Sequence, residues 1–257
     1  MAYRVAILCA TWILSTGAGA SPPLASCGAR ARTAQELYEV GSDSATVDTL
    51  RAVLHDDGNC VDALWRLAYV RLDQAHDAPR RKVAEALWSE GDSLARKAVE
   101  TTPNSADARF VAALSTAVRC DQVAVGERLA LSKVLRRRIA VCLAADPDHA
   151  GAWYLLGKWH EGLSSLNLVE RKFADLVLGG MPPGASSDSA RLCLEKALSL
   201  RPRDPQFILD LATLEDAMGD RRAALATCRR AEGLPGRSGG DRRNLEAIGQ
   251  ERRKLGG

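Results

Sequence analysis

An all-α helical repeat solenoid is the fold this sequence predicts, on three observations: a composition rich in helix formers, four stretches that end alike on a proline, and amphipathic segments that restart after the first three of them. Only 12 of the 257 residues are Phe, Trp or Tyr, while Ala, Leu and Arg dominate. That balance favours helices over strands, whose pleated faces take aromatic and β-branched side chains. With 46% hydrophobic and 26% charged residues the composition is globular, which excludes disordered and collagen-like classes. The formal charge of +3 is too small for this length to argue for a nucleic-acid or membrane-surface partner.

The four similar endings are Ala98 to Pro103, Cys142 to Pro147, Ala197 to Pro202 and, more loosely, Ala231 to Pro235. In each, a small residue and an apolar one precede a proline, which cannot continue a helix. New amphipathic segments follow at Ala106 to Val118, Ala150 to Gly162 and Pro205 to Met218. The repeating unit is therefore helix, turn, helix, stop. Trp153, Leu156 and Gly157, followed by His160, match the first half of the tetratricopeptide pattern, with His160 in its aromatic slot. Ala190 with Leu194, and Ala224 with Cys228, match the second half. Small residues at Gly157, Ala190, Ala197, Ala224 and Ala231 let two antiparallel helices approach closely.

Carrying this register backward predicts a weaker unit at Leu64, Leu67 and Ala68, paired with a helix ending at Ala98, and a further closing helix at Thr46 to His55. The prolines are spaced 44, 55 and 33 residues apart. Only the last is near the repeat length of about 34, so earlier units carry longer helices or an insertion. Residues 164–187 are that insertion: helical apolar spacing through Leu176, then a glycine-proline loop to Gly184. A charged segment, Asp241 to Leu255, follows the last turn and suits the end of a solenoid. The predicted organisation is 21–32 as linker, 33–235 as tetratricopeptide-like repeats forming a right-handed superhelix, and 236–257 as a C-terminal capping helix.

The stretch from Trp153 through Gly157, Trp159, Leu163, Leu166, Glu170-Arg171-Lys172, Leu178-Gly179, Pro182-Pro183 and Ala190 to Pro202 resembles the characteristic block of the regulator of microtubule dynamics proteins. The resemblance covers about 50 residues; elsewhere the chain is similar to generic tetratricopeptide sequence. It implies the fold, and that the insertion is a regular feature of it. A microtubule role is not carried over, because the N-terminus reads as an export signal.

That signal consists of Arg4, an apolar run from Val5 to Thr16, and Ala18-Gly19-Ala20, the kind of small-residue site a signal peptidase accepts. The run is shorter than the roughly 20 residues a membrane-spanning helix needs. Cleavage after residue 20 is one expectation. Leu24-Ala25-Ser26-Cys27 also has the form of a bacterial lipobox, which would remove residues 1–26, acylate Cys27 and tether the protein to a membrane. Either way the predicted location is outside the cytoplasm, periplasmic or secreted. Cys27, Cys60, Cys120, Cys142, Cys193 and Cys228 would remain. Cys142, Cys193 and Cys228 fall on apolar helix faces where cysteine serves as a small hydrophobe. Cys27 with Cys60 is the pairing to examine first, since it would tie the N-terminal segment down.

No nucleophile elbow, phosphate loop, dinucleotide fingerprint, paired-histidine metal motif or CxxC occurs. The reading is a non-enzyme with no cofactor or metal. Arginines are numerous at 136–138 and after 220, but no aromatic residues are interleaved with them as a nucleic-acid surface requires. The functional surface left is the concave face formed by the first helix of each pair. Spacing places Trp65 and Tyr69, Phe110 and Leu114, Tyr154 and Lys158, and Leu209 and Thr213 there. Aromatics with a lysine suit a protein or peptide segment. The expected function is an exported protein-protein interaction scaffold; the alternative is a structural or regulatory subunit of an envelope enzyme or transport complex with no groove of its own.

Overall fold

The computed structural model of the chain describes residues 26–166, 172 and 185–256. These residues form α1 (Cys27–Glu39), α2 (Asp43–Asp56), α3 (Val61–Asp77), α4 (Arg81–Thr101), α5 (Ala106–Gln122), α6 (Val125–Ala145), α7 (Ala150–Ser164), α8 (Ser187–Leu200), α9 (Pro205–Ala217), α10 (Arg221–Arg229) and α11 (Gly239–Lys254). No strand occurs among the described residues. The predicted signal at 1–20 and most of the insertion at 164–187 lie outside them.

The prolines end helices as the sequence requires. α4, α6 and α8 stop at Thr101, Ala145 and Leu200, each two residues before Pro103, Pro147 or Pro202. The residues after these ends, Thr102, Asp146 and Arg201, swing to ψ 83, 99 and 73°. A proline's ring crowds the preceding residue, and the helix has already unwound when it arrives. The next helix then starts on a side-chain cap. Ser105 Oγ accepts from Ala108 N at 3.2 Å, and Asp204 Oδ1 accepts from Gln206 N and Phe207 N at 3.0 and 3.3 Å. Such caps satisfy amides that have no partner inside the helix. The fourth ending behaves differently: α10 stops at Arg229, and Gly233 turns the chain at φ 73° before Pro235 is reached.

One predicted boundary is corrected. Helix begins at Cys27, inside the segment read as linker, because Ser26 Oγ caps it by accepting from Ala29 N at 3.3 Å. Ala31 and Ala34 are fully buried against α2 and α3, so α1 is the first helix of a complete unit. The pairs are therefore α1/α2, α3/α4, α5/α6, α7/α8 and α9/α10, with α11 as the cap.

Within a pair the two helices meet where side chains are smallest. A Cβ placed on Gly157 of α7 would lie 2.8 Å from Leu194 Cγ and 3.2 Å from the Ala190 carbonyl oxygen of α8. In α3/α4 the glycine sits on the other partner: a Cβ on Gly91 would lie 2.8 Å from Leu72 Cγ and 3.3 Å from the Ala68 oxygen. Between units, Phe110 packs against Gly151, where a Cβ would come within 2.6 Å of the ring. Indoles then fasten neighbouring units, with Trp88 Nε1 donating to Ser115 O at 3.0 Å and Trp159 Nε1 to Ser132 O at 2.9 Å. His160, in the repeat's aromatic slot, is buried edge-on against Trp159. Gly157→Leu should lower stability by about 1–3 kcal/mol or more, because the Leu194 side chain and the α8 backbone already occupy the space. An unchanged urea midpoint would show that this crossing does not hold the pair.

Candidate functional site

The first helices α1, α3, α5 and α7 pack side by side, and their inner edge carries a row of rings. Tyr38 meets Tyr69 edge-on at 5.8 Å, Tyr69 lies 6.4 Å from Phe110, and Phe110 lies 4.7 Å from His149. The row continues on α7 and α9, where Tyr154 stacks on Phe207 at 4.7 Å. Offset and edge-on pairs of this kind add to plain area burial.

Acidic side chains hold the hydroxyl ends of these rings. Tyr38 donates to Asp73 at 2.6 Å. Tyr154 donates to Asp210 Oδ2 at 2.7 Å, and Gln206 Nε2 donates to the same oxygen at 2.7 Å. Lys158 Nζ reaches Asp210 Oδ1 at 3.5 Å and Glu161 at 2.6 Å. Burial pushes Tyr38, Tyr69 and Tyr154 well above the ordinary tyrosine range, so they stay protonated donors. Burial also raises Asp73 and Asp204. At Lys158 burial disfavours the charge, but Asp210 and Glu161 outweigh it and the pKa ends above that of a free lysine. The face thus offers aromatic edges, hydroxyls held in place by carboxylates, and one firmly protonated amine. That inventory suits recognition of a polar or basic segment, with specificity in the pairing.

The cap crosses this face. Its leading turn reaches the α1–α2 turn, where a Cβ on Gly41 would lie 3.3 Å from Ser238 Cα. One turn on, the Arg243 guanidinium pairs with Asp77 at the end of α3. Asn244 Nδ2 donates to Gln206 Oε1 at 2.9 Å. Ile248 and Leu245 meanwhile pack on the α9/α10 core. The C-terminal helix is therefore both the end cap and a strap that returns to the first units.

The eight positions expected on this face all lie on first helices, two each on α3, α5, α7 and α9. They divide by environment. Tyr69, Tyr154 and Lys158 belong to the ring-and-carboxylate row. Phe110 belongs to the row but also fills the contact with Gly151. Trp65 of α3 packs, partly buried, against the two small clusters that α3 shares with α4 and α5, under the Arg66 guanidinium at 4.1 Å. Leu114 packs, partly buried, among hydrophobics of α3, α4 and α5, and Leu209 packs on the core of the last unit. Thr213 is exposed, its hydroxyl donating to Leu209 O at 2.9 Å. The positions not anticipated are Tyr38, Asp73, Asp210 and the strap residues. Asp73 was within reach of the sequence, one helical turn beyond Tyr69 in the series Trp65, Tyr69, Asp73. Asp210, on the adjacent helical register, and Arg243 have no such signal.

Cys27 is bonded to Cys60, with Cα atoms 6.0 Å apart. A sulfur held in this disulfide has no thiol for the acylation that the lipid-anchor alternative requires, so the two uses of Cys27 exclude each other. Cys60 is the N-cap of α3, so the bond ties α1 to the second unit. Asp57 stands beside the two sulfurs, the one group among the described residues with metal-ligand spacing, but the disulfide occupies both sulfur donors. Cys120, Cys142, Cys193 and Cys228 are buried free thiols. Burial raises Cys120 to about 11 and Cys142 to about 12, as expected of packing cysteines. No helix among the described residues is long and apolar enough to cross a membrane.

Helix pairs with small-residue crossings, stacked in register and closed by a solvating helix, define a tetratricopeptide-type helical repeat protein. Over residues 31–256 the chain matches the family model described as Regulator of microtubule dynamics protein 1-3. It belongs to that family. Regulator of microtubule dynamics protein 3 of Xenopus laevis is 26% identical over 145 residues, covering 56% of this chain and 31% of the relative. The Bos taurus protein of the same name is 24% identical over 188 residues, covering 72% and 40%. The chain thus spans less than half the length of these relatives. Among solved structures, a thermophilic TPR protein of Thermus thermophilus superposes with a TM-score of 0.62 at 18% identity, covering 87% of this chain and 99% of that one. Pseudomonas aeruginosa pilF superposes with a TM-score of 0.50 at 16% identity, covering 89% and 91%. At these identities the likeness to solved structures shows the fold.

The disulfide generates a direct expectation. It closes a sequence separation of 33 residues, and Cys60→Ser should cost roughly 2–4 kcal/mol, as loss of a native disulfide commonly does. A reductant should lower the melting temperature of the wild type and leave the variant unmoved; a reductant that moves neither would show that the bond does not form.

Proposed function

We propose that this chain is an exported interaction scaffold that takes a protein or peptide segment on its concave face. The observation that carries the reading is the row from Tyr38 to Asp210, in which aromatic edges and a protonated Lys158 are fixed by carboxylates on neighbouring helices. Groups held in place before a partner arrives lose little entropy on binding, which is how a small polar set gains affinity. Lys158→Ala combined with Thr213→Arg tests it. Both side chains are at least a third exposed, so the folding cost should stay within about 1 kcal/mol for the pair. Loss of an anchor with steric blockage should weaken partner capture from an extract by more than about 30-fold.

The strap across the same face favours a second reading, a structural or regulatory subunit of an envelope enzyme or transport complex that uses its outer surface instead. On that reading the double variant captures its partner as well as the wild type does. Intact capture therefore rejects the concave face as the docking surface.

Export is supported by the charged start, short apolar run and small-residue site at 1–20, and by a disulfide, which persists in oxidising compartments. The relatives are named for regulating microtubule dynamics, which offers a competing, unexported role. Residues 1–30 fused to a reporter enzyme should carry it out of the cytoplasm. A reporter retained inside would overturn export and favour the role in the relatives' name.

A further inference from the structure

On the outer surface, α4 and α6 both pack against α5, and a cleft of about 590 Å³ opens between them. Its floor is apolar: Val99 of α4, Ala112 of α5, and Val134 and Val141 of α6. Val141 is 46% exposed, one of few large hydrophobic side chains left open to solvent among the described residues. The walls are guanidinium groups, Arg96 from α4, Arg109 from α5 and Arg137 and Arg138 from α6, against a single carboxylate, Glu100.

Hydrogen bonding orients two of these groups without cancelling their charge. Arg109 donates to the Val141 carbonyl at 3.1 Å and Arg138 donates to the Ala112 carbonyl at 2.7 Å. Carbonyl and hydroxyl acceptors leave a guanidinium its full positive charge and spare donors. Arg96 alone has a carboxylate partner, Asp92 at 3.0 Å on its own helix. The arginine run at 136–138 is divided by the fold. Arg136 lies over the Trp159 ring at 5.6 Å, toward α7, while Arg137 and Arg138 turn to the cleft.

We propose that this cleft is a second docking site, independent of the concave face, for an acidic amphipathic helix of a partner protein. The trough between two parallel-running second helices accepts a helix laid apolar side down, the mode in which an amphipathic helix enters a groove. Its flanking Asp or Glu side chains meet the arginine walls, where planar guanidinium groups bind carboxylates in bidentate fashion. The excess of four cations over one anion in the lining selects against a basic segment, since like-charge juxtaposition is costly. The cleft has no aromatic platform for bases.

Fluorescence anisotropy on the purified protein, with two labelled helical peptides of equal length, one Leu/Glu and one Leu/Lys, tests the proposal. The Leu/Glu peptide should bind and the Leu/Lys peptide should not. Arg137→Glu and, separately, Val141→Asp should each weaken binding about tenfold or more, while leaving the melting temperature within error because both positions are exposed. Binding should fall as salt rises. The Lys158→Ala, Thr213→Arg variant should bind this peptide like the wild type, which separates failure of this site from failure of the concave-face reading. Equal binding of both peptides, or a Leu/Glu affinity that neither cleft variant changes, would overturn the proposal. So would an interaction with anionic phosphatidylglycerol vesicles that needs Arg137 while the peptide shows none, which would make the cleft a lipid-surface site.

Discussion

The close crossing of two helices over a residue with little or no side chain is the contact on which each unit of this protein rests. Gly157 lies against Ala190 and Leu194, and Gly91 against Ala68 and Leu72. The corresponding positions in α5/α6 and α9/α10 are Ala113 with Leu135 and Ala212 with Ala224, all buried. With at least one partner reduced to a methyl group or a hydrogen, the backbones approach until leucines above and below interdigitate. The large side chains can fill the remaining space only because the small ones created the approach. Every later feature, from the indole bonds between units to the row of rings on the inner edge, inherits its spacing from this crossing.

Both ends of the array need a further device, because a terminal unit exposes a face its neighbours would otherwise cover. At the N-terminus the device is covalent: Cys27 on α1 is joined to the N-cap of α3. At the C-terminus it is α11, which buries Ile248 and Leu255 under a surface of arginine and glutamate. Arg221 Nε donates to the Leu255 carbonyl at 3.1 Å, satisfying an acceptor left open at the helix end. Because α11 also reaches Asp77 and Gly41, the two ends are not independent.

The two candidate surfaces differ in the sign of their charges and in how those charges are partnered. On the concave face, Asp73, Asp77, Asp204 and Asp210 are each engaged by a tyrosine, an arginine, backbone amides or a lysine. A ligand there must exchange these internal partners for its own, at a desolvation cost that only well-matched groups offset. In the outer cleft Arg137 is exposed and Arg109 and Arg138 are held by neutral carbonyl acceptors, so a carboxylate ligand meets guanidinium groups whose charge is not already paired. A repeat protein can in this way present two surfaces with different partner chemistry from one set of helix pairs.

The sequence by itself determined much of what is local along the chain. Pro103, Pro147 and Pro202 ended helices at predictable points, and the spacing of Trp153, Leu156 and Gly157 located a first helix and the face it buries. These features are legible because helical periodicity and proline sterics act within a few residues. It placed all eight expected residues on first helices but could not tell a lining side chain from a packing one. Trp65 and Leu114, both partly buried, pack against hydrophobic clusters while Thr213 is exposed, because that depends on the rotation between units. Only the tertiary structure decided that Asp210 would organise Tyr154 and Lys158, that Arg136 would part from Arg137, that the Cys27 sulfur would be spent on Cys60, and that Arg243 would meet Asp77 from 166 residues away. Such meetings come from small rotations summed over successive units, and no window of sequence contains that sum.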